Sequence, residues 1–266
     1  MRLSWLLARR VPPVPSPVLV EVISLLAARG FTSRTVIPEE THARADIVEL
    51  DADLYLLKSH TELALSIAGA LHDRGARLVN PYPACVIAQN KVTAAGRLRR
   101  AGVPAPRTWA TGDPRTLLDL LDSGPLVVKP HRGHRGGGVV VVRHPDQLPT
   151  VAGPVVAQQY VAGPGEDLKV YVVGDEVFAV RKPFGPDSFT RPGRPVPVGR
   201  DIRAIALRVG EAFGLGLYGI DVIEGADGPV VVDVNYFPGY KGVPAVAPVI
   251  AAYVADSAVV GRRLAS

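Results

Sequence analysis

The chain has 266 residues, 47% of them hydrophobic and 21% charged, enough for one large or two to three small compact units and unlike a disordered chain. Thirty Lys and Arg against 25 Asp and Glu leave +5, thin for a nucleic-acid binder, and no dense basic run or basic helix with interleaved aromatics occurs. The single cysteine, Cys85, excludes an intramolecular disulfide and Cys-rich structural zinc sites.

No stretch reaches the roughly 20 apolar residues of a membrane helix. The run Trp5–Ala8 is ended by Arg9 and Arg10 and is too small for a signal-peptide core. A soluble, cytoplasmic protein without nucleic-acid or membrane partners is expected. The basic surplus fits a pocket for an anionic small molecule, or arginines scattered on the surface.

Residues 3–8 read as a short strand, followed by a Pro-rich turn. Val18 to Arg29 reads as a helix stopped by Gly30, the usual residue past a helix C-terminus. Thr35–Ile37 and Leu54–Leu57 are strand-like, Thr61 to Arg74 has helical spacing up to Gly75, and Ala76–Val79 is a strand again. Strands alternating with helices predict a small open parallel sheet over residues 1–80. No spaced-glycine fingerprint follows the first strand, which argues against a dinucleotide site there. Cys85 lies in a mostly apolar run and reads as packing.

From Val92 to Ala101 a helix carries Arg97, Arg99 and Arg100. Strands are predicted at Leu126–Lys129, Val139–Arg143 and Val155–Val161, then a hairpin of Lys169–Val173 with Glu176–Val180 across Gly174-Asp175. A Pro/Gly/Arg loop runs from Pro183 to Gly199, a helix from Asp201 to Phe213, and a second hairpin joins Gly219–Ile223 to Val230–Val234.

That second hairpin carries Asp221, Asp233 and Asn235. Alternation puts Asp233 and Asn235 on one strand face, and the turn at 225–228 folds Asp221 back beside them. A lone buried carboxylate is costly, and three hard oxygen donors on one face suit Mg²⁺. Pairing with arginines, or turn capping, is the competing reading. The segment from Lys129 to Gly138 holds four glycines in six residues, which lets backbone amides close over phosphate oxygens. Flanked by His131, Arg132, His134 and Arg135, it reads as an anion-covering flap, although flexible hairpin loops also collect glycine. Gln158, Gln159, Tyr160 and Val161 end an apolar strand that could offer backbone groups to an adenine edge.

Taken in order, these residues resemble the ATP-grasp superfamily over roughly residues 80–250. Lys91 opens a helix, Lys129-Pro130 ends a strand, and the flap follows at Gly133–Gly138. A hinge strand (158–161), a Gly-Ile-Asp strand (Asp221) and Asp-Val-Asn (Asp233, Asn235) complete the set. The resemblance implies an α/β (α+β) ATP-grasp fold, with a small open parallel domain at 1–80, the ATP-grasp module at 81–266 and a lid at about 105–160. It further implies that Lys91, Lys129, Gly136, Gly137, Gly138 and Asp167, with the hinge, hold ATP, and that Asp221, Asp233 and Asn235 hold Mg²⁺, with two ions expected.

Two branches compete for the acceptor. The stretch Asp233–Val243, Leu168–Gly174 with Lys182-Pro183, and Lys58–Glu62 look like the inositol-phosphate kinases. In that branch Lys129, Lys169 and Lys182 would serve catalysis. Lys58, His131, Arg132, His134, Arg135, Lys169, Arg181, Lys182, Gly239 and Gly242 would face an anionic acceptor. The flap spacing and Asp167-Leu168-Lys169 resemble instead the glutamate-adding carboxylate–amine ligases. Convergent cations suit a polyanion, so a kinase for a phosphorylated polyol is the leading expectation and an ADP-forming ligase the alternative.

Overall fold

The computed structural model describes residues 1–9, 14, 16–132, 137–150, 153–183 and 192–263, with side chains as far as Val259. The flap residues Gly133, His134, Arg135 and Gly136, and residues 184–191 of the Pro/Gly/Arg loop, therefore lie outside the described residues.

The first sheet is parallel, in the order β2-β1-β3-β4, with β1 at Arg2–Leu6, β2 at Thr32–Val36, β3 at Leu54–Leu57 and β4 at Leu78–Val79. Helix α1 (Pro17–Ala28) starts with proline in its first turn, and α2 (Glu62–Asp73) is capped by Thr61 Oγ1, which accepts from the Ala64 amide. Because β2 and β3 lie on opposite sides of β1, the carboxyl ends of β1 and β3 form a switch point, the usual place for a ligand crevice in such sheets.

Helix α3 (Tyr82–Gln89) was not legible from spacing, because its run around Cys85 is nearly all apolar and buries Ala84, Cys85 and Ala88. Helix α4 (Lys91–Arg100) is capped by Asn90. A four-stranded sheet then follows in the order β5-β8-β6-β7: β5 (Thr108–Thr111), β6 (Leu126–Pro130), β7 (Val140–Val142) and β8 (Val155–Gln159), all antiparallel neighbours. It has its own small core of Leu117, Leu126, Val128, Val142, Val155 and Ala157.

The third sheet is antiparallel, in the order β11-β10-β9-β12-β13. Its strands are β9 (Glu166–Val173), β10 (Glu176–Pro183), β11 (Arg194–Val196), β12 (Leu217–Gly225) and β13 (Gly228–Tyr236), with α5 (Arg200–Phe213) and α6 (Val246–Arg263) after β11 and β13. Short, Pro-bearing β11 sits at the edge, where proline is tolerated, inside the stretch expected to be loop. One large core joins the first and third sheets. Buried Asn80 clips them together: its side chain donates to Leu217 O at 2.7 Å and accepts from the Gly216 and Leu217 amides at 2.8 and 2.9 Å.

Candidate active site

The three sheets enclose a cleft of about 1290 Å³, lined by Lys91, Lys129, Gly137, Gln158 to Val161, Asp167, Lys169, Lys182, Asp221, Asp233 and Asn235, and by the carboxyl edge of the first sheet. Strand alternation explains the convergence. In the register of β9, β10, β12 and β13, Lys182 lies opposite Asp167, Asp221 opposite Lys169, and Asp233 opposite Asp221. All therefore share one sheet face.

The pairing of β12 with β13 shifts between Asp221 and Val222, so that Val232 is left between the paired Asp233 and Val231. This bulge puts the Val232 carbonyl to use: it accepts at 3.0 Å from Nζ of Lys129, which β6 of the four-stranded sheet carries. Lys129 is only 7% exposed. Burial lowers its pKa, opposed by the negative charge of Asp233 and aided by the positive charge of Lys91.

Lys169 bridges two carboxylates, reaching Asp221 Oδ2 at 2.7 Å and Asp167 Oδ2 at 3.2 Å. Burial works against its ammonium, but the two carboxylates outweigh it and raise its pKa. Burial raises the Asp167 pKa, partly offset by Lys169. Lys182 is lowered, first by burial and then by the like charges of Lys169 and Lys241. Asn235 makes a long 3.5 Å contact to Asp233 Oδ2.

Two carboxylates and an amide, all oxygen donors on one face, fit Mg²⁺. Among the described residues no group of three or more His, Cys, Asp and Glu forms a metal site. Lys169 engages Asp221 through Oδ2, so an ion held by Asp221 would share the carboxylate with that lysine.

Other expected residues fall elsewhere. Lys58 lines the cleft, but its Nζ donates to Phe237 O at 3.1 Å and Pro238 O at 2.7 Å and sits 4.6 Å over the Phe237 ring. It braces a turn whose Phe237 holds φ +38°. Arg181 pairs with Glu224 at 2.6 Å and is absent from the cleft lining, because its neighbour Lys182 takes the inward face. Arg132 pairs with Glu62 at 3.1 Å, while a His131 ring nitrogen lies 3.2 Å from Pro154 O. The carbonyl of His131 accepts from the Lys91 amide at 3.0 Å, tying the end of β6 to α4.

Gly239 lines the cleft, whereas Gly242 does not. Gly242, at φ +87°, lies against Gly193, where an added Cβ would stand 2.3 Å from the Gly193 carbonyl oxygen. Close backbone approach demands this glycine. Gly138 adopts φ +73° beside Pro130.

Sequence reasoning missed the far end of the cleft, which Leu7, Leu19, Val20, Ile23 and Ile37 line. It also missed His60, which stacks on Tyr236 with ring centroids 4.1 Å apart.

A family profile described as the RimK-like ATP-grasp domain matches residues 88–254. A probable alpha-L-glutamate ligase of Shewanella loihica is 31% identical over 188 residues, 64% of this chain and 62% of that protein. One of Stenotrophomonas maltophilia is 31% identical over 189 residues, 64% of this chain and 65% of that protein. The chain thus spans less than two thirds of the length of either relative.

Among solved structures, a RimK domain ATP-grasp protein from Sphaerobacter thermophilus superimposes with TM-score 0.76 at 23% identity, over 96% of this chain and 100% of that one. The ATP-grasp ligase PsnB, solved with a minimal precursor, Mg and ADP, gives TM-score 0.68 at 19% identity, over 96% and 97%. The profile covers well over half the sequence, with Lys91, Lys129, Asp167, Lys169, Lys182, Asp221, Asp233 and Asn235 inside its bounds, and the chain belongs to the RimK-like ATP-grasp family.

Proposed function

We propose that the protein is an ATP- and Mg²⁺-dependent, ADP-forming carboxylate–amine ligase. The comparisons support this alternative over the leading expectation, since the matched curated relatives bear glutamate-ligase names, and an inositol-phosphate kinase finds no support in them.

The observation that carries the reading is the engagement of the cations once assigned to a polyanion. Arg181 is held by Glu224, Arg132 by Glu62, and Lys58 by two backbone carbonyls. Several phosphate groups would need charge-assisted partners, whereas a single carboxylate needs few.

ATP would supply the phosphoryl group and Mg²⁺ the neutralisation of its charge. Lys91 and Lys129 would bind phosphate oxygens, and Asp221, Asp233 and Asn235 would hold the metal, with a second ion as an open part of the proposal. Lys169 and Lys182 would steer the acceptor carboxylate. Its oxygen takes the phosphoryl group, and the acyl phosphate so formed is attacked by an amine, which releases phosphate and forms the amide. Positioning and electrostatics carry most of such a transfer. A closed lid would exclude the water that hydrolyses an acyl phosphate.

The test is ADP release from the purified chain with carboxylates and amines offered singly and together. Release that needs both, with hydroxylamine capturing the acyl group as a hydroxamate, is the expected result. Release driven by an inositol phosphate without an amine would overturn the ligase reading.

A further inference from the structure

The cleft is larger than the nucleotide end requires: about 1290 Å³, against roughly 300–1,000 Å³ for ordinary small-molecule sites. Its surplus lies at the switch point of the first sheet and is built from apolar side chains. Leu7 follows β1 and Ile37 follows β2, while Leu19, Val20 and Ile23 come from one face of α1. The spacing 19, 20, 23 puts these three on a common stripe; Leu19 and Ile23 also pack in part against the core that holds Val22 and Leu26. Val20 is 53% exposed, so packing does not explain a valine there.

The charged groups at this end already have partners within the protein. Arg9 pairs with Glu40 at 3.3 Å on the rim, and Lys58 is engaged by the Phe237 and Pro238 carbonyls. The wall is also continuous with the metal-binding residues. Asn235 is two residues from Phe237, Phe237 lies under Lys58, and Lys58 and Leu7 follow the adjacent strands β3 and β1. A co-substrate with its carboxylate beside Asn235 and Lys169 would lay the rest of itself along this wall.

We propose that the co-substrate whose carboxylate is activated carries a bulky aliphatic or aromatic group, bound by Leu7, Leu19, Val20, Ile23 and Ile37. This rests on the ligase reading and adds the substrate class: an apolar amino acid or a peptide with an apolar side chain, rather than an acidic one.

The test uses the full chain with ATP, Mg²⁺ and hydroxylamine, and compares N-acetyl-leucine and N-acetyl-phenylalanine with N-acetyl-glycine and N-acetyl-glutamate. The expected result is hydroxamate formation with KM about ten-fold lower for the apolar pair. Val20→Asp, at an exposed helix position where folding should survive, raises the N-acetyl-leucine KM about ten-fold, and Leu19→Ala raises it less. Preference for the glutamate analogue, or an unmoved KM in Val20→Asp, overturns the wall and leaves the ligase reading intact.

Calorimetric titration of N-acetyl-leucine, with Mg²⁺ and a non-hydrolysable ATP analogue, separates the two claims. If no carboxylate gives hydroxamate, the ligase reading fails. Binding of N-acetyl-leucine weakened by Val20→Asp still supports the wall, and absence of binding overturns it.

Discussion

The Lys169 ammonium stands 2.7 Å from Asp221 and 3.2 Å from Asp167, so that a lysine occupies the carboxylate proposed to hold the metal. Register dictates this: Lys169 on β9 lies directly across from Asp221 on β12. Lys169 acts as the internal counter-ion of a face with two neighbouring acids.

Replacing it tests that role. Lys169→Met leaves Asp167 and Asp221, 16% and 23% exposed, without the cation that bridges them, with Lys182 as the remaining positive charge acting on both. The expected loss is about 1–3 kcal/mol, less than for a fully buried pair because solvent still screens it. Added Mg²⁺ should then raise the Tm of the variant more than that of the parent. Equal responses would place the ion away from Asp221.

Asp233 lies opposite Asp221 and opposes the burial of Lys129. Asp233→Ala should lower ATP turnover by about a hundred-fold or more with an unchanged circular dichroism spectrum. Full turnover in a folded variant would make Asp233 structural and the metal assignment wrong.

Lys58 is read first as a brace. Lys58→Ala removes charged hydrogen bonds to Phe237 O and Pro238 O and should cost about 2 kcal/mol in urea unfolding. The loosened turn borders the cleft, so the acceptor KM should rise more than kcat falls. A raised KM with unchanged stability would show direct contact with the acceptor instead.

Tyr171 supplies a pH prediction. Burial, followed by the negative charge of Asp221, pushes its hydroxyl up to about 12. A phenol whose folded pKa is raised adds stability that is complete below its unfolded value of about 10 and is lost as pH rises towards the folded value. Tyr171→Phe should therefore remove about 2–3 kcal/mol of the fall in stability between pH 10 and 12, with little change near neutrality. Parallel stability curves for parent and variant would contradict the buried phenol.

Much of this molecule is local and therefore legible in the chain. Alternating apolar residues and short turns set the hairpin of β12 and β13, so the meeting of Asp221 with Asp233 follows from nearby sequence. The helices α1, α2, α4 and α5 end at glycine stops, α2 and α4 also carry side-chain caps, and all four start and end within about a residue of where the pattern puts them. Helix α3 and strands β5 and β11 escaped, the helix because uniform apolarity has no period and the strands because four mixed residues, or three with a proline, carry little strand signal.

By itself the sequence carried the ordered motifs whose resemblance implies the ATP-grasp fold, and it placed Asp221, Asp233 and Asn235 on one hairpin face because strand alternation and a short turn are local. Only the tertiary structure decided what each cation does. Lys58 meets Phe237 across 179 positions, Lys129 meets Val232 across 103 and Arg132 meets Glu62 across 70. A lysine bound for a substrate and one bound for a backbone carbonyl read alike in one dimension, and packing of the three sheets alone tells them apart.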